Sequence, residues 1–325
     1  MDSPALPEDA PLVAVRRGAV LESVHRGRLV FCDPSGEILD ATGDPEAYVF
    51  ARSSSKLFQA LPLILSGAAD AFGLSDEELA VACASHNAEE PHLAAVRSLL
   101  EKAGLSEDDL QNGAHPPMHA PEAGKLARSG KGPLAVHGNC SGKHAGMLAV
   151  CAHEGFDTGG YRNPDHPIQR RILELVVEAC GLRDDEALLA GDDCGVPAFA
   201  LPLKSLATGF ARLATGEGIP EEVARAAQRL RRAMRAHPFM VAGTGRFDTE
   251  VMETTDVVCK SGAEAVFAAG SAEGWGLALK ISDGGARAVR PAAVAALGRR
   301  GVEVPEGDPR RDLHGEVVGG IGPFI

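Results

Sequence analysis

Residues 51–60 read ARSSSKLFQA, three serines running into a lysine where an apolar stretch of helical period begins. Ser53 and Lys56 stand three residues apart, so on a helical turn the hydroxyl and the amine share one face and can meet. A solvated helix start accounts for such a tetrad. So does a serine nucleophile with a lysine base, provided burial or neighbouring positive charge, such as Arg52, keeps the amine neutral. Backbone N–H groups at the helix start would then face an oxyanion beside Ser53.

Two further stretches decide between these readings. SHN at 85–87 supplies Ser85 and Asn87 after a short helix, and KSG at 260–262 supplies Lys260 and Ser261 beside a predicted strand. S-x-x-K, S-x-N and K-[ST]-G, in that order along the chain, mark serine penicillin-recognising enzymes. Each motif alone is a hydroxyl at a helix end or a lysine on a strand. Together they put two hydroxyls and two amines around one pocket. Ser53 with Lys56, and Ser85 with Lys260, form two pairs, one to accept the nucleophile's proton and one to return it to the leaving group.

The pattern on either side agrees with that order. VLESVHRGRLVFCDPSGEILDATGD alternates around the turn signal DPSGE and predicts a hairpin over 20–42. Helices are expected in SSSKLFQALPLILSG, with Pro62 late in it, and in SDEELAVACASH, which opens with Ser75 and Glu78 at capping-box spacing. AEEPHLAAVRSLLEKAG, CSGKHAGMLAVCAHEG, HPIQRRILELVVEACG and IPEEVARAAQRLRRAMRAH read as further helices, while 112–139 reads as one long ordered loop. EAVFAAGSA and GWGLALKISDG form a second hairpin, and ARAVRPAAVAALGRR closes with a helix. Strands at both ends with helices between them predict an α+β fold, one antiparallel sheet from the N- and C-terminal strands with an inserted helical lobe. A disordered tail at 1–10 and a single two-lobed domain over 11–325 complete this expectation.

With 32 Lys and Arg against 45 Asp and Glu, a net charge of −13 excludes nucleic acid and anionic membrane surfaces as partners. The first residues carry acid where a secretory signal needs base and an apolar run, and no apolar stretch approaches the ~20 residues of a membrane span. Seven cysteines in such a chain predict reduced thiols in a cytoplasm. Gly243 and Gly245 in AGTGR lack the strand and helix context of a phosphate loop, so no nucleotide site is read there.

HGNCSGKHAGML places Cys140 and Lys143 three apart with His144 beside them, and GDDCGVP places Asp192, Asp193 and Cys194 in a tight loop. Two thiolates with a third ligand can hold zinc, and chemistry alone favours His144 as the third, because lysine must first lose a proton. RSSSK, CASHNAEE, HGNCSGKHAGML, GDDCGVP and AGTGRFDTE together resemble the asparaginase II family, the Rhizobium-type L-asparaginases, from about residue 11 to the final GGIG. The resemblance implies a serine β-lactamase/glutaminase-like fold, a homodimer, and hydrolysis of L-asparagine to aspartate and ammonia. Carried over position by position, it implies catalysis by Ser53, Lys56, Ser85 and Lys260. It also implies zinc held by Cys140, Lys143 and Cys194, with Asp192 on a zinc-bound water. At Asp248 this chain departs from members that carry cysteine there, so no role of that cysteine transfers.

The expected course is attack by Ser53 on the side-chain amide, with the N–H groups of Ser53 and Ala263 holding the oxyanion. Arg52, Arg246 and His144 are candidates for the substrate carboxylate and Asp192 for its ammonium. Zinc is expected to position substrate or tune the pocket rather than activate water. The competing readings are the same chemistry on glutamine or a β-lactam, a non-catalytic zinc-binding protein on this fold, and a thiol hydrolase using Cys140.

Overall fold

In the computed structural model, which describes residues 6–307 and 309–324, the expected hairpin is the start of the main sheet. Residues 1–5 of the expected disordered tail lie outside the described residues, and Asp9 takes an ion pair from Arg28 at 2.7 Å. The strands in chain order are β1 (Ala10–Arg17), β2 (Val20–Cys32), β3 (Ile38–Thr42), β4 (Tyr48–Phe50), β5 (Leu188–Gly191) and β6 (Pro197–Pro202). After them come β7 (Val258–Gly262), β8 (Val266–Ser271), β9 (Trp275–Ile281), β10 (Arg310–Arg311) and β11 (Val317–Pro323).

The main sheet runs β10-β11-β1-β2-β9-β8-β7, with β3 branching from β2, and its pairs are antiparallel. N-terminal strands thus lie between C-terminal ones, Val30 opposite Ala278 and Val15 opposite Ile321, as the terminal placement of strands predicted. Terminal strands joined in one antiparallel sheet, with a helical lobe inserted between them, are the architecture of this chain.

β8 and β9 are buried along nearly their whole length, so they read as continuous apolar runs instead of alternating. The helix Leu203–Thr215 covers them on one face and Val289–Gly298 on the other. Gly270 and Gly276 face each other across that pair, and a Cβ at either would meet the backbone carbonyl of Phe210 or Ala207. Two missing side chains let the helix backbone rest on the sheet. Between β4 and β7 lies the helical lobe, centred on Lys56–Leu65, which is buried from Lys56 to Leu63 and packs against Ser141–Glu154, Pro167–Cys180 and Glu221–Ala236.

Several expectations are corrected. The stretch 112–139 is not one loop: it carries the helix Ala120–Arg128 and a 3-10 turn at Ala135–His137. KSG ends a strand rather than flanking one. A three-stranded sheet, β4-β6-β5, was not foreseen. It has a consequence for the site, because β4 and β5 both run antiparallel to β6 and leave it at the same end. One exit feeds residues 51–56 and the other feeds 192–195.

Candidate active site

β4 ends where Ala51 N–H donates to Phe199 O at 2.9 Å, and the chain then turns sharply. Arg52 has φ +48°, the left-handed region that costs a non-glycine residue about 1–3 kcal/mol. Its guanidinium is clamped by Asp192 at 3.0 Å and Asp193 at 2.5 Å, which holds that conformation. A 3-10 turn follows over Arg52–Ser55. Ser54 Oγ donates back to Ala51 O at 2.6 Å and Ser55 Oγ to Arg52 O at 2.7 Å. Of the three serines, only Ser53 has a hydroxyl with no hydrogen bond among the described residues, and it lines both cavities at the site.

Lys56 is fully buried, and its amine donates to Ser85 Oγ at 2.9 Å and Ala84 O at 2.5 Å. The expected hydrogen-bonded pair Ser53–Lys56 is therefore not the one formed. A desolvated ammonium seeks oxygens inside the core, and the end of the helix Asp76–Ala82 presents two of them. Burial pushes Lys56 down to about 8; Lys143 and Lys260 push the same way and the Cys140 thiol opposes them.

Ser85 is held in an extended stretch, its N–H on Val241 O, with His86 N–H on Asn139 O and Asn87 N–H on Ala242 O. His86 Nδ1 accepts from Ala88 N–H, so Nε2 carries the proton and donates to Ser141 Oγ at 2.8 Å. Burial keeps this ring neutral, and it ties the Ser85 segment to the helix bearing Lys143.

Lys260 does not pair with Ser85. Its fully buried amine donates to Asp248 Oδ2 at 3.1 Å and to Ser261 O at 2.9 Å. Asp248, 2% exposed, also accepts from Ser261 N–H at 2.9 Å and from Ser261 Oγ. Burial alone would raise that carboxyl; Lys260 and the two Ser261 donors hold it below its usual range. The sequence marked Asp248 only as a departure from a pattern, and nothing in FDTE announces its partner across the fold.

Cys140, Lys143 and Cys194 do come together. Lys143 Nζ lies 3.1 Å from Cys194 Sγ, and Asp192 Oδ2 lies 3.7 Å from the same sulfur. Cys140 Sγ donates to Asn139 Oδ1 at 3.2 Å, and Cys194, Lys56 and Lys143 beside it pull its thiol well below the ordinary range. Burial opposes charge on Lys143, but the Cys140 and Cys194 sulfurs and Asp192 raise it. His144 faces elsewhere: it is fully buried, with Nδ1 2.7 Å from Tyr161 Oη, and it lines neither cavity. That corrects its candidacy as zinc ligand and as carboxylate binder. Among the described residues no cluster of three or more His, Cys, Asp or Glu is disposed to hold a metal. A zinc site here needs the lysine, and two sulfurs with one amine in mutual reach are a donor set that fits zinc.

The two cavities meet at Ser53, Asn139 and Ala263. The first, about 210 Å³, is walled by Arg52, Asp192, Asp193, Asn112 and the two thiols. The second, about 360 Å³, is walled by Ser85, Arg246, Met118, Phe247 and Val289. Arg246 bonds Asn87 Oδ1 at 3.1 Å and Ser85 O at 3.5 Å, and no described carboxylate lies within ion-pair distance of it. The N–H groups of Ser53 and Ala263 have no carbonyl partner among the described residues.

Compared with known families, residues 13–319 match L-asparaginase II. The chain belongs to the L-asparaginase II family. As a member it is a hydrolase acting on amides. A comparison with curated proteins finds no match. Among solved structures, a protein called Mglu is similar over 87% of this chain and 68% of that one, at 14% identity and TM-score 0.39. A β-lactamase from Mycobacterium bovis is similar over 85% and 95% of the two chains, at 16% identity and TM-score 0.41. The simvastatin synthase of Aspergillus terreus is similar over 79% and 86%, at 13% identity and TM-score 0.40. This L-asparaginase II chain spans 61% to 68% of the length of the Mglu chains. No helix among its described residues is long and apolar enough to cross a membrane.

Proposed function

We propose that this family member hydrolyses the side-chain amide of L-asparagine to L-aspartate and ammonia through an aspartyl ester on Ser53. The observation that carries the reading is the unbonded hydroxyl of Ser53 where two cavities meet, on the turn that runs into a wholly buried lysine. Neutral Lys56 accepts the Ser53 proton as Oγ attacks the amide carbon. Ser85, hydrogen-bonded to Lys56, carries a proton to the departing nitrogen, and water then hydrolyses the ester. The N–H groups of Ser53 and Ala263 take the oxyanion, each such donor contributing ~3 kcal/mol. Lys260, paired with Asp248, takes no proton-transfer step in this reading.

In the first cavity Asp192 is the acceptor for the α-ammonium, and Arg52, ion-paired with Asp192 and Asp193, takes the α-carboxylate in exchange for the exposed Asp193. Cys140, Lys143 and Cys194 would hold zinc beside them. When bound, the metal would supply fixed positive charge against the first cavity and keep both sulfurs as thiolates. The homodimer and the cytoplasmic location belong to the same proposal, the second supported by seven unpaired, buried thiols. Sedimentation at micromolar concentration checks the dimer.

The function is tested by ammonia release from L-asparagine, with L-glutamine alongside, by wild type, Ser53→Ala and Cys140→Ala. Ser53→Ala is expected to lower kcat by at least about 10³-fold. Loss in Cys140→Ala with activity kept in Ser53→Ala would put the nucleophile on sulfur.

A further inference from the structure

The division of the site into two cavities has a chemical meaning, given which residues open on each. Ser85, the hydroxyl that faces the departing nitrogen in the proposed function, lines the second cavity and not the first. The groups suited to an amino-acid head, Arg52 and Asp192, line only the first. An amide whose carbonyl sits over Ser53 with its head in the first cavity must therefore direct its nitrogen into the second. Ammonia needs no chamber. A space of about 360 Å³ on that side is far more than one nitrogen occupies.

The lining of this chamber also has a definite chemistry. Met118, Phe247 and Val289 give it apolar walls. Arg290, the other cation there, is spoken for by Glu250 at 2.6 Å. Arg246 makes hydrogen bonds only to neutral oxygens and the Met118 sulfur, and the nearby Asp248 carboxylate is taken by Lys260 and Ser261. Glu264, exposed, stands at the chamber's rim and works against an anion placed far out. The charge available inside is thus a guanidinium lacking a carboxylate partner, close to Ser85, and a planar fork of that kind is matched to a carboxylate.

We propose that the second cavity is a leaving-group subsite, and that the enzyme also hydrolyses β-amides of aspartate whose nitrogen carries a short carboxylate-bearing substituent, as in β-aspartyl-glycine. The proposal rests on the Ser53–Lys56–Ser85 reading above. Ser53 Oγ forms the bond to the β-carbonyl carbon as its proton goes to Lys56. The carbon–nitrogen bond breaks with its electron pair on nitrogen, and a proton delivered through Ser85 lets the amine of glycine depart from the second cavity. Water then cleaves the ester to aspartate, so one amide bond and one water are consumed per turnover. Arg246 binds the carboxylate of the leaving amino acid.

The test measures aspartate release from L-asparagine, β-aspartyl-ethylamide and β-aspartyl-glycine by wild type, Arg246→Gln and Ala286→Trp. Ala286 lies at the exposed mouth of the chamber, where an indole would fill it. Wild type is expected to turn over all three. Arg246→Gln is expected to lower the ratio of kcat/KM for β-aspartyl-glycine over β-aspartyl-ethylamide by about tenfold or more, a ratio that general damage to folding leaves alone. Ala286→Trp is expected to lower both N-substituted amides relative to L-asparagine by a similar factor. Turnover of L-asparagine with none of either substituted amide overturns the subsite and leaves the asparaginase reading standing. A glycine-to-ethylamide ratio that Arg246→Gln does not move overturns the carboxylate assignment. Silence on all three substrates overturns both readings together.

Discussion

Lys56 is the residue whose surroundings dictate what can stand in its place. Its four-carbon stem is packed in the core, its amine donates to Ser85 and Ala84, and the Cys140 sulfur lies beside it. Methionine matches that stem without offering a base, so Lys56→Met is expected to keep the fold while lowering kcat on L-asparagine by about 10²- to 10⁴-fold. Circular dichroism together with ammonia release checks both halves of that outcome. At this scale the sequence could name the participants but not their partners. Motif order named Ser53, Lys56, Ser85 and Lys260 as the candidates, and the fold brings Lys56 to Ser85 but gives Lys260 to Asp248. That Lys56 meets Ser85, 29 residues on, and Lys260 meets Asp248, 12 residues back, depends on packing between separate elements, which motif spacing does not encode. The choice among Ser53, Ser54 and Ser55 shows the same limit from the other side: only the bonds back to Ala51 and Arg52 remove two of the three hydroxyls.

Between elements, two contacts fix the geometry of the site. Asp248 on the helix Phe247–Thr254 joins Lys260 on β7, both side chains sealed from water. Replacing only the acid leaves a buried charge uncompensated, so Asp248→Asn is expected to cost about 3–5 kcal/mol at neutral pH. The sign with pH follows from the depressed carboxyl: the folded value lies below the unfolded one. The contribution is complete above about 4 and is lost as pH falls through the folded value. Urea unfolding of wild type and Asp248→Asn should therefore show a gap at pH 7 that closes in acid. The second contact is at Gly142, in the first turn of Ser141–Glu154, where a Cβ would run into the carbonyl of Val81. Gly142→Ala is expected to push this helix off Asp76–Ala82 and destabilise the protein by roughly 1–3 kcal/mol or more, read as a lowered urea midpoint.

Across the molecule, the sequence was most informative where a rule of period or capping had no competitor. The capping box at Ser75 and Glu78 forms as expected, and the hairpin over 20–42 pairs Cys32 with Ile38. The helix Leu203–Thr215 escaped because it is buried on nearly every side, which erases the polar stripe that betrays a surface helix. β4 and β5 are three and four residues long, too short for alternation to register, and β5 is exposed throughout. The proposed zinc donors show the limit of composition: chemistry pointed to His144, while the fold turned that ring toward Tyr161 and brought Lys143 to Cys194. If the proposed attack by Ser53 holds, chelator treatment is expected to leave kcat on L-asparagine within about tenfold of the zinc-loaded protein, with the larger effect on KM. Steady-state kinetics before and after dialysis against chelator, with metal content measured on each sample, checks that split.

The pairing of β2 with β9 and of β1 with β11 sets an order of assembly during synthesis. Val30 must wait for Ala278, and Val13 for Pro323, before either gains its partner. A ribosome adding about 5–20 residues per second therefore leaves the first hairpin with an open edge for tens of seconds while the helices emerge behind it. The helical lobe can condense from nearer neighbours in that interval, but the sheet closes only when the last strand is out. Lys260 reaches the turn that carries Ser53 through β7, so the surroundings of that serine are complete only with this late closure and not with the earlier folding of its own segment.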